Sequence, residues 1–125
     1  MIELGETSPK DRILNAFPYA PHLAYWLTHY AALEKNLFCV STGGGKVMGT
    51  SGNLRLIKKT RPSILVGMPT FIYHVLRQAE EEGQMIRSLR RIVLGGEKVV
   101  RGTRRKLAAL AEKLGSPGTR VMATY

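Results

Sequence analysis

The sequence predicts an α/β fold: three layers, αβα, built on a mostly parallel sheet of four to five strands with helices on both faces. Three observations carry that prediction. Short apolar runs such as Ile64-Leu65-Val66 and Ile92-Val93-Leu94 do not alternate with polar residues, so both of their faces are covered. Longer segments with apolar residues at three- and four-residue spacing lie between them. The two kinds of segment alternate along the whole chain, ending on a strand, and such alternation gives a parallel sheet.

Glu3 to Asp11 reads as a lead-in loop, with Gly5 as a candidate helix stop and turn chemistry at Pro9-Lys10-Asp11. Arg12 to Phe17 is short and apolar and reads as the first strand, broken by Pro18 and Pro21. From His22 the period becomes helical, with Leu23, Trp26, Leu27, Tyr30 and Leu33 forming an apolar stripe flanked by His22 and His29. Leu37 to Ser41 is the second strand.

Thr42-Gly43-Gly44-Gly45-Lys46 follows. It resembles a phosphate loop but fails the G-x-x-x-x-G-K-[ST] pattern, because Val47 follows the Lys and Val40 stands at the first Gly position. It reads as a flexible loop. Asn53 to Lys59 reads as a short helix, with Leu54 and Ile57 inward and Ser51 or Asn53 as its cap. Ser63 to Gly67 is the third strand. Met68-Pro69-Thr70 opens a helix with Pro near its first position, Ile72, Tyr73, Leu76 and Ala79 inward, and Gly83 as its stop. Gln84 to Arg90 is a connector. Arg91 to Leu94 runs into Gly95-Gly96-Glu97-Lys98, and a helix over Val100 to Leu114 follows. Thr119 to Tyr125 is the last strand.

The 125 residues make one domain at most, taken here as a single α/β subdomain over 1–125 of a larger domain. No apolar run reaches the ~20 residues needed to span a bilayer. The start lacks the regions of a signal peptide. Cys39 is the only cysteine, which excludes an intrachain disulfide and a multi-cysteine zinc site and makes a reducing, cytoplasmic setting the default. The formal charge of +10 points to nucleic acid, an anionic cofactor or an acidic partner. The basic residues are scattered and lack interleaved aromatics, so solvated faces are preferred over nucleic-acid binding.

If the strands are parallel, three of their ends share one edge: Gly67-Met68-Pro69-Thr70, Gly95-Gly96-Glu97-Lys98 and Ala123-Thr124-Tyr125. That edge is where open α/β sheets bind ligands. Backbone donors, a carboxylate and an aromatic ring there suit a flat, polar-edged heterocycle. No general base, nucleophile or metal cluster stands out. Glu97 at a helix start is explained by its favourable interaction with the dipole, and Cys39 reads as a small buried hydrophobe.

These segments resemble the adenylate-forming (AMP-binding) ligase superfamily, nearest to its phenylacetate–coenzyme A ligase-like branch. Asp11-Arg12, Asn15-Ala16-Phe17-Pro18-Tyr19 and His22 are similar to its D-R-x-x-N-x-x-x-Y segment. Arg61-Pro62-Ser63 through Met68-Pro69-Thr70 is similar to its strand and turn before the acyl pocket. Leu94-Gly95-Gly96-Glu97 resembles its G-G-E adenine turn, and Ala123-Thr124-Tyr125 the start of its Y-G-x-[TS]-E motif. The resemblance implies that an acid and ATP form an acyl-adenylate whose acyl group passes to coenzyme A or another thiol, with Mg²⁺ as cofactor. It implies that Gly95, Gly96 and Glu97 line the adenine pocket and that Tyr125 stacks on the base. Tyr19 and His22 would face the carboxylic acid, and Gly67, Met68 and Pro69 would wall the acyl pocket.

The family's phosphate-holding loop with its Lys, its magnesium-binding Glu and its lid with the catalytic Lys have no counterpart in these residues. The expectation is a core subdomain with no catalytic residue or metal ligand of its own, inactive in adenylation alone. Alternative readings are a free-standing flavodoxin-like module for a nucleotide or a partner, a basic nucleic-acid-binding domain, and a relative that adenylylates a deazaflavin coenzyme.

Overall fold

A computed structural model describes residues 7–17, 23–96 and 98–123. Five strands and four helices alternate: β1 (Arg12–Asn15), α1 (Leu23–Glu34), β2 (Phe38–Ser41), α2 (Gly45–Thr60), β3 (Ile64–Gly67), α3 (Pro69–Glu82), β4 (Arg91–Leu94), α4 (Arg101–Lys113) and β5 (Arg120–Ala123). All neighbouring strands are parallel and run in the order β2-β1-β3-β4-β5. The expected three-layer α/β architecture is therefore the observed one.

Successive strand residues point to opposite faces, and two apolar clusters follow. On one face Leu14, Leu65, Ile92 and Leu94 meet Leu54 and Ile57 of α2, Ile72, Val75, Leu76 and Ala79 of α3, and Leu107, Leu110 and Ala111 of α4. On the other, Ile13, Ile64, Val66 and Val93 meet Tyr25, Ala31 and Ala32 of α1, with Phe17 beside them. The strands are short, but covered on both sides. Burying a large aliphatic side chain contributes about 1.5–3 kcal/mol, so this sheet centre holds most of the apolar driving force.

Helix α1 corrects the expected stripe. Its sheet-facing residues are Tyr25, Thr28, Ala31 and Ala32, with Leu27 partly buried. Trp26, Tyr30 and Leu33 face outward at 46%, 60% and 60% exposure. The helix is apolar almost all round, so periodicity does not choose a face. Two alanines let its backbone lie close to the sheet, and the bulky residues take the other side.

Helix α2 is a second correction. It begins at Gly45, inside the segment read as a flexible loop, and is kinked at Gly49, whose φ and ψ are 69° and 175°. Thr42, Gly43 and Gly44 are buried. Asn53 is not a cap but an interior residue that donates from Nδ2 to the carbonyls of Gly44 (3.3 Å) and Gly49 (2.8 Å). Its amide holds the kink, which propensity alone would not reveal. β1 ends at Asn15, two residues short of expectation, although the Ala16 amide still donates to the Val66 carbonyl at 2.7 Å. Leu54 and Ile57 are inward as expected, and Gly83 ends α3 in the left-handed region.

At the amino edge of the sheet Asp11 is buried. It accepts the Ser63 hydroxyl at 2.7 Å and the Ser8 amide at 2.8 Å, and pairs with Arg90 at 3.2 Å. Burial alone would raise its pKa. The Ser8 and Ser63 hydrogen bonds and the charges of Arg90 and Arg91 outweigh that and hold it below the ordinary carboxylate range. The Asp-Arg pair of the sequence motif is thus part of the scaffold, at the edge opposite the strands' carboxyl ends.

Candidate functional site

The strand order places the site. In the order 2-1-3-4-5 the chain leaves β1 towards one side of the sheet and returns at β3 on the other. Ligands in such sheets bind where the order reverses, outside the carboxyl ends of the strands. Here that point lies between β1 and β3, at Asn15-Ala16-Phe17 and Gly67-Met68.

Asn15 is buried at the β1 side of this point. Its Nδ2 donates to the carbonyl of Tyr25 in α1 at 3.1 Å, and its Oδ1 accepts the Phe17 amide at 3.3 Å. Both ends of the intervening segment are thereby fastened to the end of β1. Tyr19 and His22 belong to that segment and lie outside the described residues, as do Glu97 and Tyr125.

The other expected residues fall into distinct places. Gly67 is buried, and a Cβ there would come within 2.8 Å of Ile72 Cδ1 and 3.4 Å of Ala16 Cβ. Its missing side chain lets the first turn of α3 close over β3. Met68 is half-buried and packs towards the α1 cluster. Pro69, the first residue of α3, is buried and faces the opposite side. The structure thus brings Gly67 and Met68 to the β1–β3 crevice and turns Pro69 away from it.

Gly95 stands beside Gly67, and its amide donates to the Gly67 carbonyl at 3.2 Å. That N–H is consumed by the scaffold, so the turn does not offer it to a ligand. Gly96 is exposed and has φ 81°, a left-handed conformation that glycine adopts without strain. The Gly-Gly turn therefore has two separate jobs: Gly95 extends the ladder between β3 and β4, and Gly96 reverses the chain.

A cavity of about 310 Å³ opens at the same edge, on the α3–α4 side. Pro69, Thr70, Tyr73 and His74 of α3 line it, with Lys98, Thr103 and Lys106 from the β4–α4 side. Pro69, Thr70 and Lys98 were placed at this edge by the sequence, but Tyr73, His74, Thr103 and Lys106 were not read as site residues, and no cavity was expected here. Lys98 directly follows Gly95-Gly96-Glu97, and that adjacency was the one available signal. A second cavity, about 400 Å³, lies at the amino edge among Ile57, Lys58, Arg61, Met85, Ile86 and Arg87, away from this site.

Among the described residues no group of three His, Cys, Asp or Glu side chains is arranged to hold a metal ion, and no helix is long and apolar enough to cross a membrane. Cys39 is half-buried on β2. Burial raises its pKa against a weaker opposing hydrogen bond from Ser41, so the thiol stays protonated near neutral pH.

The site, as far as its residues are described, is a switch-point crevice of a five-stranded parallel α/β sheet with a basic cavity alongside. No protein-family profile and no curated protein sequence matches the chain. Solved structures do. A 2-hydroxyisobutyryl-CoA ligase in its postadenylation state, in complex with 2-HIB-AMP, superposes with a TM-score of 0.81 at 18% identity, over 94% of this chain and 24% of that one. A long-chain-fatty-acid–CoA ligase from Archaeoglobus fulgidus gives 0.70 at 17%, over 92% and 23%. CmiS6 gives 0.70 at 21%, over 94% and 27%. The chain therefore shares the fold of a segment of these proteins and spans about a quarter of their length.

Proposed function

We propose that this chain is the core subdomain of an ATP-dependent acid–thiol ligase of the adenylate-forming class, nearest to the phenylacetate–coenzyme A ligase-like branch. The observation that carries the reading is the superposition on a ligase holding an acyl-adenylate over 94% of the chain. The order of the D-R-x-x-N, M-P-T and G-G-E segments along the sequence supports it independently.

In this reading the crevice between β1 and β3 takes the carboxylic acid. Met68 and the backbone of Gly67 form one wall, and Tyr19 and His22 the other. Asn15 positions the segment that carries them. Gly95 and Gly96 shape the adenine pocket; with the Gly95 amide already used, the base is read through the remaining backbone, Glu97 and Tyr125. ATP supplies the adenylyl group and coenzyme A the acceptor thiol. The magnesium ligands, phosphate loop and lid belong to other parts of the ligase, so the chain alone does not turn over. A chain with one cysteine, and so no intrachain disulfide, suits a reducing, cytoplasmic setting.

A non-hydrolysable acyl-adenylate mimic, an acyl-sulfamoyl adenosine, tests the placement. Added to the isotope-labelled chain at millimolar concentration, it should shift the amides of Gly67, Met68, Gly95 and Gly96 with weak affinity. Shifts confined to other elements would reject it.

One observation favours a second reading. The strand order is that of flavodoxin-like modules. A free-standing module of that kind would bind a nucleotide tightly by itself, whereas the ligase subdomain binds it weakly.

A further inference from the structure

The basic cavity beside the crevice carries a problem that the proposed acyl and adenine sites do not solve. Helix N-termini carry a partial positive charge and are stabilised by acidic residues. Helices α3 and α4 both begin at or near this cavity. Each lacks a side-chain cap, and neither has an acidic residue in its first turn. Helix α4 instead opens with Arg101 and Arg104 and continues with Arg105 and Lys106. Lys98 and Lys106 line the cavity together with His74, and no carboxylate is among its described lining residues. Neither lysine forms an ion pair among the described residues. Glu97, the one carboxylate nearby in sequence, lies outside them.

Among the described residues, like charges are thus gathered near the positive ends of two helices, a setting that favours a bound anion. The walls also carry the hydroxyl groups of Thr103 and Tyr73, in a volume of about 310 Å³ that is ample for a phosphate and its ester or anhydride neighbour. Cations, hydroxyls and two helix ends around one concavity are the chemistry of a phosphate site. It lies on the α3–α4 side of the sheet's carboxyl edge, whereas Met68 packs towards α1. A ligand in the crevice and a phosphate in the cavity can therefore be held together.

We propose that the cavity formed by Pro69, Thr70, Tyr73, His74, Lys98, Thr103 and Lys106 binds a phosphate group. The site is a property of this chain and does not depend on the ligase reading. The phosphate has two possible sources: a pyrophosphate or nucleotide polyphosphate, and the phosphoester of a nucleotide-linked acceptor.

The test is a titration of the labelled chain at constant ionic strength with inorganic pyrophosphate and, separately, with adenosine 3′,5′-bisphosphate. The amides of Thr70 and Thr103 should shift with at least one probe, and that probe should raise the melting temperature. Lys98→Gln with Lys106→Gln should weaken it about tenfold or more, the worth of one charge-assisted hydrogen bond. Lys58→Gln with Lys59→Gln, at the far end of α2, should change it less than about twofold. Tighter pyrophosphate binding assigns the polyphosphate source, and tighter bisphosphate binding the phosphoester. Equal weakening by the two double variants, or shifts that avoid Thr70 and Thr103 with both probes, would overturn the proposal. A failed acyl-adenylate mimic with intact pyrophosphate binding would refute only the ligase reading.

Discussion

Asn15 and Tyr25 are ten residues apart and joined by one hydrogen bond, Nδ2 to the Tyr25 carbonyl at 3.1 Å. It ties the end of β1, beside the point where the sheet order reverses, to the first turn of α1. Asn15→Asp keeps the shape and the acceptor but loses the donor, and it sets two oxygens against each other in a buried place. A loss of about 1–3 kcal/mol is expected from urea unfolding. If the proposed ligase reading holds, the same variant in the full-length protein should weaken acid binding more than ATP binding.

Asp11 should contribute to the acid limb of stability. Its folded pKa is depressed, so the stabilisation it brings is fully present above the unfolded value, near 4, and is lost as pH falls through the folded value. Asp11→Asn should flatten the pH dependence of the melting temperature below about pH 4 while leaving a constant deficit at neutral pH. An unchanged acid limb in the variant would show that other carboxylates control it.

Gly67→Ala should be destabilising by about 1–3 kcal/mol, since the new methyl group meets Ile72 at a non-bonded distance that real contacts do not reach. Ile72→Val, which removes Cδ1, should recover part of that loss. A double-mutant cycle with no coupling between the two would contradict the close approach.

On α1 the two faces should respond oppositely. Tyr30→Glu and Leu33→Glu lie on the exposed face and should leave urea stability within about 0.5 kcal/mol. Ala32→Leu inserts bulk where α1 meets the sheet and should cost about 1–3 kcal/mol. The reverse ranking would restore the aromatic stripe as the buried face.

That α1 contrast also shows what the sequence made legible. The buried strands announced themselves, because Ile64-Leu65-Val66 and Ile92-Val93-Leu94 have no polar face to present to water. Their alternation with helices gave the architecture. The choice of face on α1 was not legible, since alanines pack closely while Trp26 and Tyr30 merely look like core. The start of α2 was hidden because glycine-rich segments rarely form helices, and the contacts of Asn53 with the Gly44 and Gly49 carbonyls that brace it arise only in the fold. Gly67, Met68, Gly95 and Gly96 were legible as carboxyl-edge residues, since they follow strands whose apolar runs are plain in the sequence. The role of Asn15 as a clamp and the basic cavity were not, because both arise from residues brought together only by the fold.

The central claim is that this chain supplies the core of an acyl-adenylate-forming site that other segments complete. Carboxylate-dependent exchange of pyrophosphate into ATP tests it most directly, measured on the chain alone and on the chain grafted in place of the matching quarter of a 2-hydroxyisobutyryl-CoA ligase. The account predicts no exchange from the chain alone, exchange from the graft with a suitable acid, and its loss when Gly96→Val strains the adenine turn. Exchange catalysed by the isolated chain, or a well-folded graft that exchanges nothing across a broad panel of acids, would contradict it.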